Sequence, residues 1–190
     1  MSYLFNCYAG IYDYFMKLWH LDDTSIIEQM LQGHCYDILD IGGGSGTLGD
    51  RLVKQGHDVT ILDASLPMLK QAHQKNKQLH LIYAMLQEKP NLKLVDVIIC
   101  RDCFHHLDNQ DASLQAMLGY LKDDGFILIH DFDPKVGKIK LLFLFERCCF
   151  EKIKPVDLDY LNKLAQINQA ALTVIHQGKW DYVCKIQKRR

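Results

Sequence analysis

The sequence has no excess charge of either sign: 22 lysines and arginines stand against 23 aspartates and glutamates, a formal net charge of -1. No overall field draws the chain to nucleic acid or another anionic polymer, and no nucleic-acid partner is expected. Long apolar runs are also missing; none approaches the roughly 20 residues that a bilayer-spanning helix needs. The start, MSYLFNCYAGIYDYFMK, has no basic segment leading into an uninterrupted apolar stretch, so no export signal is expected. The seven cysteines are odd in number, and Cys148 and Cys149 are adjacent. They fit reduced thiols in a cytoplasmic protein better than a disulfide framework. Repeats, low-complexity tracts and linkers are absent too, and 190 residues, 48% of them hydrophobic, suit one domain with one sizeable core.

What is present is alternation. Short β-branched runs at Tyr36 to Ile41, Val59 to Leu62, Leu79 to Tyr83, Val95 to Cys100 and Phe126 to Asp131 are predicted strands. Helix-period segments follow the first, second and fourth, while the third crossover, near Gln87 to Leu92, is short. This alternation predicts a doubly wound α/β fold, a parallel sheet covered by helices. Thr24 to Leu31 is a predicted helix before the sheet, with Asp22, Asp23 or Thr24 as its cap. After Asp131 come a Lys-rich amphipathic stretch, Lys135 to Lys154, a helix over Leu158 to Gln169, and strands at Leu172 to His176 and Trp180 to Gln187. Gly178 lies between these two strands and suits a hairpin turn.

The sharpest signal is Ile38-Leu-Asp-Ile-Gly-Gly-Gly-Ser-Gly-Thr-Leu-Gly49, a strand entering a glycine loop and then a helix. Gly42, Gly43, Gly44 and Gly46 let the backbone turn sharply and approach a ligand, while the next helix offers unpaired N–H groups. Asp40 ends the strand with a negative charge, which suits a cationic amino group and suits a pyrophosphate poorly. Asp63 ends the second strand, where a carboxylate accepts both hydroxyls of a ribose; its competing role is to cap the helix from Ser65 to Lys75. Ala64 and Met68 put apolar groups where an adenine face would rest. The run Gly44-x-Gly46-x-x-Gly49 also matches the dinucleotide fingerprint. In that register, however, Asp40 and two further residues separate strand from fingerprint. An NAD(P)-dependent oxidoreductase and a loop that merely joins strand to helix are the competing readings.

On these residues the chain resembles the class I methyltransferases dependent on S-adenosylmethionine (SAM), notably the small single-domain type similar to quinone-biosynthesis and other small-molecule enzymes. The resemblance covers roughly residues 36 to 131. It sets Asp40, Gly42, Gly44 and Gly46 in the family's first motif and Asp63 at the end of its second strand. Asp96-Val-Ile-Ile-Cys-Arg-Asp-Cys-Phe-His-His-Leu107 looks like the fourth-strand motif, which borders the methionine moiety and includes Arg101, and Gly125-Phe-Ile-Leu-Ile-His-Asp131 looks like the fifth strand. The resemblance implies a Rossmann-like doubly wound sheet of seven strands in the order 3-2-1-4-5-7-6. The sheet is mostly parallel, with an antiparallel C-terminal strand. One departure stands out: Met85 occupies the place of the family's adenine-binding Asp, so adenine is expected to meet backbone and apolar groups there.

The implied activity is direct methyl transfer to a small, lipophilic acceptor, with a non-catalytic SAM-binding regulator as a further alternative. His105, His106 and Asp131 are the candidate bases, needed where the acceptor carries a proton. Since adjacent residues on one turn diverge, one histidine at most is expected to face substrate. Cys100-x-x-Cys103 with the two histidines imitates part of a zinc or redox motif, but no second Cys pair completes it and no metal is expected. Residues 1–34 are expected to form a helical lid, 35–131 the cofactor core, and 132–190 a substrate-side insertion and hairpin. The aromatic stripe Tyr3, Phe5, Tyr8, Tyr12, Phe15 and Trp19 belongs to that lid, with Tyr8 and Tyr12 as substrate contacts, or else packs as core. Residues 138–154, apolar with basic flanks, either close the pocket or touch a membrane surface. Oligomeric state and acceptor atom have no sequence signal.

Overall fold

A computed structural model describes residues 23–149 and 153–189. The chain runs α1 (Ser25–Leu31), β1 (Asp37–Ile41), α2 (Thr47–Lys54), β2 (Asp58–Asp63), α3 (Leu66–Lys75), β3 (His80–Tyr83), β4 (Val95–Arg101), α4 (Gln110–Gly119), β5 (Leu121–Phe132), α5 (Gly137–Cys149), α6 (Leu158–Ile167), β6 (Ala170–Gln177) and β7 (Asp181–Lys188). The strands form one sheet in the order β3-β2-β1-β4-β5-β7-β6. The pairs β1 with β2, β1 with β4, β2 with β3 and β4 with β5 are parallel, and β7 is antiparallel to both neighbours.

Alternation of side chains along the strands builds two cores. Ile38, Ile61, Val97, Ile99 and Leu128 pack with Ile27, Leu31, Leu52 and Leu69 of α1, α2 and α3. Leu39, Ile41, Ile98, Ile127 and Ile129 pack on the opposite face with Leu114 and Met117 of α4 and Leu161 and Leu164 of α6. The third crossover holds only a 3-10 turn, Leu86–Glu88.

Strand β5 begins five residues before its predicted start. Its leading residues, Lys122-Asp-Asp, look like a turn, yet Lys122 Nζ donates to Asp37 Oδ2 at 2.8 Å and Asp96 Oδ2 at 3.0 Å. These bonds tie the polar leader to β1 and β4. Ser25 N–H donates to Asp23 Oδ1, whereas the Thr24 hydroxyl bonds Glu28 and accepts from Arg51.

In α5, Ile139, Leu142 and Phe143 are buried in a small cluster with Phe132 and Ile153, while Leu144 is exposed. The described apolar residues of this stretch largely face the core. No helix among the described residues is long and apolar enough to cross a membrane.

Candidate cofactor and acceptor site

The site grows from the carboxyl ends of β2, β1, β4 and β5. Gly42 N–H donates to Leu62 O at 2.8 Å, closing the loop onto β2. Gly42 has φ +70, and a Cβ there would lie 2.3 Å from Cys103 Sγ, so only glycine fits. A Cβ on Gly43 would lie 2.6 Å from Asp40 Oδ2. The Asp40 carboxyl is therefore tucked directly under the loop. It is 2% exposed, and its Oδ2 has no partner among the described residues. Burial pushes Asp40 up to about 7, against the pull of the Arg101 charge and with a further push from Asp63.

Asp63 accepts from Gly44 N–H at 3.0 Å and from Ser65 N–H at 2.7 Å. Burial raises its pKa, while these two bonds hold it down. The cap of α3 is Ser65, whose Oγ accepts from Met68 N–H, so Asp63 instead clasps the glycine loop to the end of β2.

The apolar rim differs from expectation. Met68 is 1% exposed and faces inward, a consequence of its place one turn into α3, and Ala64 is half-buried. The exposed apolar groups at the ends of β2 and β3 are Leu66, Tyr83 and Met85. Glu88, absent from the sequence reasoning, brings Oε2 to 3.2 Å from the Met85 N–H, so a carboxylate does reach this place from the 3-10 turn.

Not all the expected residues share one face. Asp40, Asp63 and Arg101 follow the α1–α2–α3 side of the sheet, whereas Asp131 follows Ile127 and Ile129 to the other. There His105 Nδ1 meets Asp131 Oδ1 at 2.7 Å, and Asp131 also accepts from the backbone N–H groups of His105 and Phe132. Burial alone would raise Asp131, but the charge and hydrogen bond of His105 hold it below the usual carboxylate value. Asp131 thereby fixes the orientation of the His105 ring. The His106 ring lies tilted against that of His105, 4.1 Å from centre to centre, and burial, then the His105 charge, depress it to about 3. Cys100 is buried and its thiol is raised by a hydrogen bond to Cys103, by burial and by the nearby Asp131 and Asp40. Asp102, His105 and Asp131 offer atoms within 4.8 Å of one another, the donor set closest to a cation site among the described residues. The 2.7 Å bond between His105 and Asp131 already engages two of these atoms.

A second pair was not anticipated. His130 lies beside Arg101 in the β4–β5 register, and its Nε2 meets Asp181 Oδ2 at 2.8 Å. A polar residue following Leu128 on a core face was the available signal for His130; Asp181, 51 residues away, carried none. Tyr8 and Tyr12, with the rest of the aromatic stripe, lie outside the described residues.

The sheet order with an antiparallel β7, a glycine loop after β1 and an acid ending β2 define the Rossmann-like methyltransferase class. Residues 13–177 match the family described as a methyltransferase domain, and the chain belongs to that family. A ubiquinone biosynthesis O-methyltransferase of Rickettsia typhi is 30% identical over 112 residues, 57% of this chain and 44% of the relative, so the chain spans less than half of that protein's length. A Thermotoga maritima structure described as a SAM-dependent methyltransferase, possible histamine N-methyltransferase, aligns over 100% of both chains with a TM-score of 0.78 at 13% identity. The DhpI–SAH complex aligns over 97% of this chain and 94% of its own with a TM-score of 0.75 at 16% identity.

Proposed function

We propose that this chain transfers the methyl group of SAM to a small, lipophilic acceptor. The observation that carries the reading is the acid pair at the glycine loop: a buried, partnerless Asp40 oxygen beneath Gly43, and Asp63 clasping Gly44. A pyrophosphate would be repelled by both acids, whereas a cationic nucleoside relieves the burial of Asp40. The residues present thus fit SAM. Asp63 would hold the ribose hydroxyls, the loop from Gly42 to Gly46 the amino-acid end, Asp40 and Arg101 its charges, and Leu66, Tyr83 and Met85 the adenine faces.

When bound, SAM supplies an electrophilic methyl group on a sulfonium. The protein's part is to position the acceptor in line, exclude water and accept a proton where the acceptor loses one. The name of the Rickettsia relative supports an oxygen acceptor. His105, oriented by Asp131, is the base that lies nearest the end of β4, and His106 is neutral at physiological pH. Within this reading residues 35–131 form the cofactor core and 132–190 the acceptor side, and the four described free thiols suit a reducing cytoplasm.

Calorimetric titration with SAM, S-adenosylhomocysteine (SAH) and NAD(H), with Asp63→Asn as control, tests the proposal. SAM and SAH binding weakened by the substitution is the expected result; binding of NAD(H) alone overturns it.

A further inference from the structure

A cavity of about 370 Å³ opens between α1, the end of β5 and the β6–β7 turn. That volume lies at the lower end of the usual range for ligand pockets, about 300–1,000 Å³, and admits one ring with short substituents. Its walls divide by chemistry. Ile26, Ile27, Phe132 and Trp180 are apolar, and polar groups of both signs, Asp23, Lys179 and the His130–Asp181 pair, line the rest together with Thr24 and His176.

The pair is built into the fold. The His130 side chain is 9% exposed and that of Asp181 29%. The hydrogen bond to His130, first among several causes, holds Asp181 below the usual carboxylate value, so it is ionised and fixes the proton on Nε2. The other ring nitrogen, Nδ1, is buried and without a partner among the described residues. Native folds rarely leave such a group unmet. Asp181 Oδ1 occupies the place a side chain at residue 178 would take, 2.1 Å from an ideal Cβ, although Gly178 has no left-handed backbone. Gly178 thus makes room for the carboxylate as well as for the turn. The cavity also adjoins the cofactor cleft: His130 neighbours Arg101 in the sheet, and the Arg101 charge acts on Asp40 on one side and on Asp23 on the other.

We propose that this cavity seats the methyl acceptor and recognises a ring bearing a protonic donor, a hydroxyl or an amine, through Asp181 and His130. The donor bonds the ionised Asp181 carboxylate, which His130 holds in place, while the ring lies among Ile26, Phe132 and Trp180. The inference rests on the methyl-transfer reading and adds the place of the acceptor and the groups that read it.

The test uses the full chain loaded with SAH and three probes: phenol, benzylamine and benzoate. SAH affinity is measured first, and then probe binding by saturation-transfer NMR. Phenol or benzylamine is expected to bind saturably and benzoate, which offers only acceptors, to bind at least tenfold more weakly. The stronger of the two donors identifies the group that the pair recognises, a hydroxyl or an amine. His130→Phe and Asp181→Asn should each weaken the donor probe at least tenfold while SAH still binds, which also reports an intact fold. Ile26→Trp, which fills the cavity and leaves the pair untouched, should abolish probe binding. No donor-probe binding to the SAH-loaded protein, equal binding of benzoate, or binding indifferent to all three substitutions overturns the proposal. Failure of SAH itself to bind sinks the methyl-transfer reading, and probe binding that persists in that case overturns the acceptor role of the cavity.

Discussion

Two histidine–aspartate pairs flank the end of β5, one on each face of the sheet, and they differ in how the protein encloses them. The side chains of His105 and Asp131 are 0% and 1% exposed; those of His130 and Asp181 are 9% and 29%. Asp131 takes three donors, His105 Nδ1, His105 N–H and Phe132 N–H, and so fixes the turn after β4 against β5. Asp181 takes His130 and, with it, lines a cavity. The same two residue types therefore serve as a brace where the protein seals them and as a receptor where a cavity reaches them.

The largest expected effect breaks the brace. Asp131→Ala strands three buried donors and should lower stability by about 3–5 kcal/mol, read from urea unfolding. A loss below about 1 kcal/mol would show that Asp131 is not the brace. Because the folded pKa lies below 3.8, the contribution of Asp131 is fully present above that pH. It is lost as pH falls through the folded value.

Asp40 sharpens the comparison, its buried Oδ2 being without a partner among the described residues. Its folded pKa, about 7 against an ordinary 3.8, means that its burial destabilises the fold progressively as pH rises from 3.8 to 7. Asp40→Asn should therefore stabilise the ligand-free protein at pH 8, by about 1–3 kcal/mol, while weakening SAM roughly tenfold. In the wild type, SAM affinity should fall as pH drops below 7, by up to about tenfold per pH unit, and the variant should lose that dependence. A flat wild-type profile would remove Asp40 from cofactor binding.

Asp63 combines both situations. Asp63→Ala leaves the Gly44 and Ser65 N–H groups without their acceptor and should cost about 1–3 kcal/mol in thermal or urea unfolding. Asp63→Asn keeps one oxygen and should cost less, and equal losses would show that the clasp contributes little.

The smallest stability effect belongs to Gly178→Ala. The new Cβ must displace Asp181 Oδ1, with a loss near 1 kcal/mol in a partly solvated pair. An unchanged chemical shift of the His130 ring protons would mean that the pair survives elsewhere.

The central strands were legible because apolar runs at period two and helical segments at period 3.6 alternate cleanly from Asp37 to Phe132. The start of β5 was not, since Lys122-Asp-Asp reads as a turn until Asp37 and Asp96 lie beside it. Asp40 and Asp63 were legible from their spacing to the glycines and to the strand end. Met68 faces inward and not toward the cofactor because α3 starts at Leu66, which sets the helical phase. Glu88, His130 and Asp181 carried no local pattern that names a ligand.

The sequence by itself determined the class of fold, the glycine loop and the acids of the cofactor cleft, because these follow from local spacing and backbone geometry. Only the tertiary structure decided that Asp131 is sealed with His105 while His130 meets Asp181. Burial and hydrogen-bond saturation depend on which distant strands share an edge, and that is a property of the folded sheet.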